Sequence, residues 1–303
     1  MNAHKAFPAI LCAFVWLFLS QTAFASMSST NYRIDWDSVN AGGDSSSSSS
    51  SYILRDSIGE VGNGRSASSS YVFDAGYRAG VYDRVADFTI FLQDRSSQVG
   101  ASALSGSVVT VTSTSGFSAG QMIAIVQNEG ASQSAAVGEI SSISGSDLTV
   151  DALTGDSLTI DGSNDVVYRL NASSVSLGTL DTDIVSTSII AWEGTADVDD
   201  GFSVYIAEDQ NLTDGTGTIA DVSDGSVSAG TSEYGARSSD ASIASSTFDT
   251  QDTAITSTPT VIATQTGTSF SERGFLTLKV AISGSQSVGS YSQTLTVLYV
   301  GDY

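Results

Sequence analysis

The chain has 303 residues, 41% of them hydrophobic, and 33 acidic side chains against 11 basic ones give it a formal net charge of −22. So acidic a surface repels nucleic-acid phosphates and anionic lipid, and no Lys/Arg cluster with interleaved aromatics overcomes that repulsion, so nucleic acid is excluded as a partner. Asp outnumbers Glu by 26 to 7; because Asp favours turns and caps where Glu favours helix interiors, the acids already point to many turns and few helices.

In chain order the first element is a leader. Lys5 stands in a short n-region, residues 6–20 form an uncharged apolar run, and Ala23-Phe24-Ala25 fits a small-x-small cleavage site, so residues 1–25 read as a signal peptide removed on export. The run is shorter than the ~20 residues a membrane span needs, and Cys12 has no lipobox before it. No second hydrophobic stretch follows, so no membrane span is expected after cleavage. The leader holds His4 and Cys12, the sole imidazole and thiol of the chain. The residues beyond it therefore lack the groups for His-based triads, thiol nucleophiles, disulfides and the usual zinc sites.

Beyond the leader, apolar residues alternate with period two. The pattern runs through Tyr32-Ile34-Trp36, Phe88-Ile90-Leu92, Leu148-Val150, Leu158-Ile160, Phe202-Val204-Ile206, Leu276-Leu278-Val280-Ile282 and Leu295-Val297-Tyr299. Gly, Ser and Asp punctuate these runs, and no 3.6-residue period competes with them, so the chain is predicted to be all-β. Residues 26–85 carry a Ser/Tyr repeat: Tyr32, Tyr52 and Tyr71 each follow a Ser- or Thr-rich run, and Asp56/Asp74 and Gly59/Gly76 recur after the last two. The serines read as turns of a small β-meander. Residues 86–172 hold short strands joined by Gly-containing turns, as in a small β-barrel-like domain of about five or six strands. Residues 173–303 have longer strands, a polar excursion from 207 to 260, and two closing strands separated by SGSQSVGSYSQ, either a hairpin or a sandwich crossing. A Greek-key β-sandwich suits that length.

Two resemblances rest on particular residues. The pattern SSTNYRIDWDSVNAGG…SSYILRDSIGEVGNG…SSSYVFDAGYRAG resembles the opening segment of uncharacterised exported bacterial surface proteins. In the last region, GFSVYIAEDQNLTDG, Glu233-Tyr234-Gly235 and GSYSQTLTVLYV resemble strands of WxL-type and spore-coat-U-type surface domains. That resemblance implies a β-sandwich used in cell-wall association, adhesion or fibre assembly. Two features depart from it: Trp192 is followed by Glu193-Gly194 and not by a Trp-x-Leu pair, and no Cys follows the leader.

Candidate chemistry is sparse. Acidic loops at 161–165, 197–200 and 209–214 offer oxygen ligands of the kind Ca²⁺ takes, with Asp197, Asp199 and Asp200 the preferred set; none has EF-hand spacing, and Asp-rich solvated turns are the plainer alternative. Glu193 and Glu208 flank a predicted strand and are a candidate carboxylate pair for glycoside hydrolysis, which needs two groups about 5 to 9 Å apart. Lys279, the lone lysine beyond the leader, alternates away from the Leu276-Leu278-Val280 face and is expected in solvent. The expectation is thus a secreted, non-enzymatic protein of the cell surface or extracellular matrix. It would act in adhesion or envelope assembly, with an envelope or extracellular protein or glycan as partner and no resident cofactor beyond the Ca²⁺ considered above. Two alternatives stand beside it: a filament subunit that self-associates by β-strand addition through a segment such as 31–39, and a carbohydrate-binding or glycoside-active module.

Overall fold

A computed structural model describes residues 86–196 and 200–302 continuously and, before them, six short strands. The expected signal peptide lies outside the described residues. The chain divides into two compact units, Met1–Asp83 and Arg84–Tyr303. It is all-β: the one helical element among the described residues is a 3-10 turn, Arg95–Ser97, and no helix there is long and apolar enough to cross a membrane.

In the first unit the described residues form three antiparallel pairs: β1 (Met27–Ser28) with β2 (Arg33–Ile34), β3 (Gly42–Ser48) with β4 (Ile53–Ile58), and β5 (Gly64–Ala67) with β6 (Val72–Ala75). Ser45–Ser48 belong to β3, so this part of the serine run is strand where the sequence suggested turn. Serine is indifferent between the two, and the ladder to β4 decides the matter.

In the second unit, β8 (Val99–Ser105), β9 (Val108–Val111), β10 (Met122–Gln127), β11 (Ser134–Ser144), β12 (Asp147–Val150) and β14 (Val166–Arg169) pair in the order β10-β14-β8-β9-β12-β11. A β10–β11 pairing closes the ring, and β13 (Thr154–Gly155) adds to β11. Two strands turn the corners. A bulge between Ala101 and Ala103 lets β8 serve β14 with its first residues and β9 with its last; a bulge between Ile140 and Ser142 divides β11 between β10 and β12. The hairpins β8–β9 and β11–β12 close on the same two residues, Gly-Ser. Gly106 and Gly145 have φ of 60° and 61°, while the following serines stay at negative φ, the pattern of a II′ turn that needs Gly in first place. Ile123, Ile125, Ile140, Leu148 and Val167 fill the ring. Leu158 and Ile160, read as a strand from their alternation, lie instead in an irregular segment whose side chains pack against this core without joining the ladder.

The rest of the unit is two sheets around one core. The larger has the order β17-β18-β20-β15-β7, from β17 (Ala220–Asp221), β18 (Glu233–Ser238), β20 (Ser269–Ala281), β15 (Ser186–Ala196) and β7 (Ala86–Leu92). The smaller is β19-β16-β21, from β19 (Thr260–Gln265), β16 (Phe202–Glu208) and β21 (Leu295–Gly301). Trp192, Phe202, Val204, Tyr234, Phe248 and Leu278 are among the side chains buried between them. Trp192 lies over its cross-strand partner Gly274, where a Cβ would come within 2.7 Å of the indole. The closing strands β20 and β21 lie in different sheets, so the loop between them is a crossing and not a hairpin. The stretch read as a polar excursion contributes β18, which pairs with β20 along its length.

A third core joins ring to sheets. β10 and β15 are buried on both faces: Ile123 and Ile125 point into the ring while Met122, Ala124 and Val126 meet Ile189, Ala191 and Phe275. Beside this apolar joint, Arg273 of β20, with 9% of its side chain exposed, holds Glu193 Oε2 at 2.6 Å, both Asp151 oxygens at 2.8 Å and Glu139 Oε2 at 3.5 Å. A fork geometry suits guanidinium, whose five donors can serve three carboxylates at once.

Candidate binding cleft

The two sheets part along the side where β7 and β21 are the edge strands. Phe88 of β7 stacks on Tyr299 of β21 with centroids 4.7 Å apart, and Tyr299 leans on Phe202. Further along, no such bridge spans the sheets, and a cleft of about 970 Å³ opens. Its walls carry Ile90 and Leu92 from β7, Leu278 from β20, and Leu295 and Val297 from β21, with Tyr234 of β18 at its inner surface. Alternation puts Ile90 on the same inward side as Phe88 and Leu92, yet Ile90 is 41% exposed, because the cleft opens in front of it. Residues 173–180 strap one flank: Ala172 N–H donates to the Leu92 carbonyl at 3.0 Å, and Val175, Leu177 and Leu180 then pack against the core without pairing as a strand.

Behind Tyr234 lies a polar cluster that alternation did not reveal. Glu208, at the end of β16, is 6% exposed, and its Oε2 has no hydrogen-bond partner; neither has the buried Oδ1 of Asp221. Burial first, then the charges of Asp221 and Asp209, push the Glu208 carboxyl up to about 7. Burial also raises Asp221. Burial and both of these acids push the Tyr234 phenol up, so it stays a neutral hydroxyl. Two neighbouring acids, one near half-ionised at neutral pH, form a group that gains or loses a proton with little driving force. The sequence signal was faint, since nothing but the tertiary fold brings positions 208, 221 and 234 together.

The residues singled out from sequence are otherwise placed. Asp197 and Asp199 lie outside the described residues, and Asp200 is an exposed turn residue. In the other acidic loops the carboxylates serve their own backbones. Asp165 accepts from the N–H groups of Asp161 and Gly162, Asp214 from those of Thr216 and Gly217, and Asp209 from that of Thr294. Those bonds hold Asp209 and Asp214 below the usual carboxylate range. Among the described residues no three His, Cys, Asp or Glu side chains are grouped to hold a metal ion. Glu193 is engaged by Arg273, whereas Glu208 belongs to the Asp221 cluster. Lys279 departs from its expected place in solvent: its Nζ lies 2.6 Å from Asp252 Oδ1, and Asp252 is buried. The outer face of β20 is covered there by the 225–253 segment, where the N–H of Val227 donates to Asp252 Oδ2. Of segment 31–39, Arg33–Ile34 is described, paired in β2 with β1, and the remainder lies outside the described residues. No protein family, curated protein or solved structure matches the chain.

Proposed function

We propose that this is an exported, non-enzymatic protein of the cell surface or extracellular matrix that works by contact, in adhesion or envelope assembly. The observation that carries this reading is the open side of the two-sheet body. There two edge strands flank an apolar cleft in which inward-facing Ile90 remains in solvent. Exposed apolar surface framed by unpaired strand edges is what an extended polypeptide or the apolar face of a glycan docks against. A photo-crosslinking residue at position 90, followed by fractionation of intact cells, tests it. The expected result is chain recovered in envelope or medium fractions, with adducts at position 90 to an envelope protein or glycan. Recovery in the cytosol without adducts refutes it.

The free edges also favour the filament reading, in which residues 31–39 of one copy add as a strand to the next. Negative-stain microscopy would then show filaments that vanish when residues 26–45 are deleted; dispersed particles from the undeleted chain reject that reading.

A further inference from the structure

We propose that Lys279 and Asp252 join in an intramolecular amide bond, which ties the outer face of β20 covalently to the segment that covers it. This bond goes beyond the contact reading and stands without it. Lys279 is the lone lysine beyond the leader, and it meets Asp252 with Nζ 2.6 Å from Oδ1, 22% and 7% of the two side chains being exposed. Oδ1 accepts no hydrogen bond, so the amine touches the carboxyl without the alignment of one.

The fold holds that carboxyl still. The N–H of Asp252 donates to the Gly225 carbonyl at 3.0 Å, Thr253 exchanges backbone hydrogen bonds of 2.8 and 2.9 Å with Ala236, and Oδ2 accepts from the Val227 N–H at 2.9 Å. Gly235 faces Lys279 across the ladder. A Cβ there would lie 2.5 Å from Val222 Cγ1 and 3.2 Å from the Thr253 carbonyl oxygen, so the bare backbone lets residues 252–253 settle on the sheet beside the amine. Val222, Val227 and Ala281 make the surroundings apolar. Glu233, 7% exposed and paired with Ala281, is the diagonal cross-strand neighbour of Lys279 on the same face.

A pair held in contact reacts without the encounter that solution chemistry requires. One ammonium proton passes to Oδ1, which leaves an amine beside a carboxylic acid, a neutral pair that an apolar site tolerates better than two charges. Nζ then bonds to Cγ while negative charge gathers on Oδ2, where the Val227 N–H stabilises it. Glu233 takes a proton from Nζ and returns it to Oδ1; the Cγ–Oδ1 bond breaks and Oδ1 departs as water. Glu233 ends as it began, Oδ2 remains as the amide carbonyl, and no co-reactant is consumed.

Intact-mass measurement of the folded, purified chain with peptide mapping tests this. The wild type should be lighter than its sequence by the mass of one water, and digestion should release two peptides joined through Lys279 and Asp252. Lys279→Arg, which keeps the ion pair, and Asp252→Ala should both have their full sequence mass. Glu233→Gln should crosslink about a hundredfold more slowly than the wild type. Strand-rich circular dichroism establishes that each variant folds. An Asp-Gly step such as Asp161-Gly162 also sheds one water when it closes to a succinimide, so the site of the loss must be mapped. A wild type that keeps its full mass, or a loss confined to an Asp-Gly step, would overturn the proposal. Crosslinking of Glu233→Gln at the wild-type rate would overturn the part given to Glu233.

Discussion

Replacing Glu208 by Gln should make the protein more stable in alkaline solution and remove most of its pH dependence near neutrality. The carboxyl is 6% exposed, its Oε2 is unpartnered, and its value is raised from 4.5 to about 7 by burial and then by Asp221 and Asp209. A group that binds its proton more tightly folded than unfolded contributes its full stability below the unfolded value; that contribution is lost as pH rises through the folded one. The raised value corresponds to about 3 kcal/mol lost on complete ionisation. Water reaching part of the carboxyl lowers this to about 2 kcal/mol. The window is clean, because His4 is the one side chain whose ordinary value falls within it. Urea titrations between about pH 5 and pH 9 should therefore show the wild type losing stability with rising pH at unchanged m. Glu208→Gln should be nearly flat over the same range. A wild-type profile without slope, or a variant that keeps the whole of it, would refute the assignment of a buried proton to this pair.

Arg273→Met should cost about 2 to 4 kcal/mol, because three carboxylates at the joint lose their shared cation; the check is the denaturation midpoint against the wild type. The same clamp predicts acid sensitivity of opposite sign to that of Glu208. Burial pushes Asp151 up, but the N–H of Ala152, Arg273 and the N–H of Glu139 together hold it below 3.8, so its contribution is present above the ordinary carboxylate range and disappears as pH falls through the lowered value. Acid titration of Arg273→Met should show that loss reduced. Gly274→Ala places a methyl within 2.7 Å of the Trp192 ring and should cost about 1 to 3 kcal/mol, seen as a displaced tryptophan emission and a lower melting temperature. Phe275→Ala empties the joint core and should cost about 3 to 5 kcal/mol. If the joint is as continuous as its packing, unfolding will stay a single transition until this side chain is removed, and differential scanning calorimetry will then resolve ring from sheets.

Local pattern alone determined where many strands lie and which way they face. Phe202-Val204-Ile206, Leu276-Leu278-Val280 and Leu295-Val297-Tyr299 each turn an apolar face to the core, and the Ser203, Tyr205, Thr277, Lys279 and Thr296 that interleave them carry the two-residue period even where, as in β16 and β20, the other face is covered too. The Gly-containing turns were legible too, because the first position of such a tight turn takes a positive φ that Gly adopts without steric cost. β15 escaped the alternation, since its residues from Ser186 to Trp192 are buried on both sides and its period vanishes. Leu158-Ile160 misled for the converse reason: two apolar residues can pack on a ring without entering its ladder.

The tertiary structure alone decided partnership. It carried β7 into the larger sheet beside β15, drew Lys279 onto Asp252, put Arg273 among carboxylates 80 to 134 residues away in the chain, and set Glu208 next to Asp221 behind Tyr234. Such contacts span sequence separations that no local period encodes. Whether an alternating run becomes a central strand or an open edge, and whether an acid meets water, an arginine or another acid, depends on which chain segment arrives beside it when the sheets close.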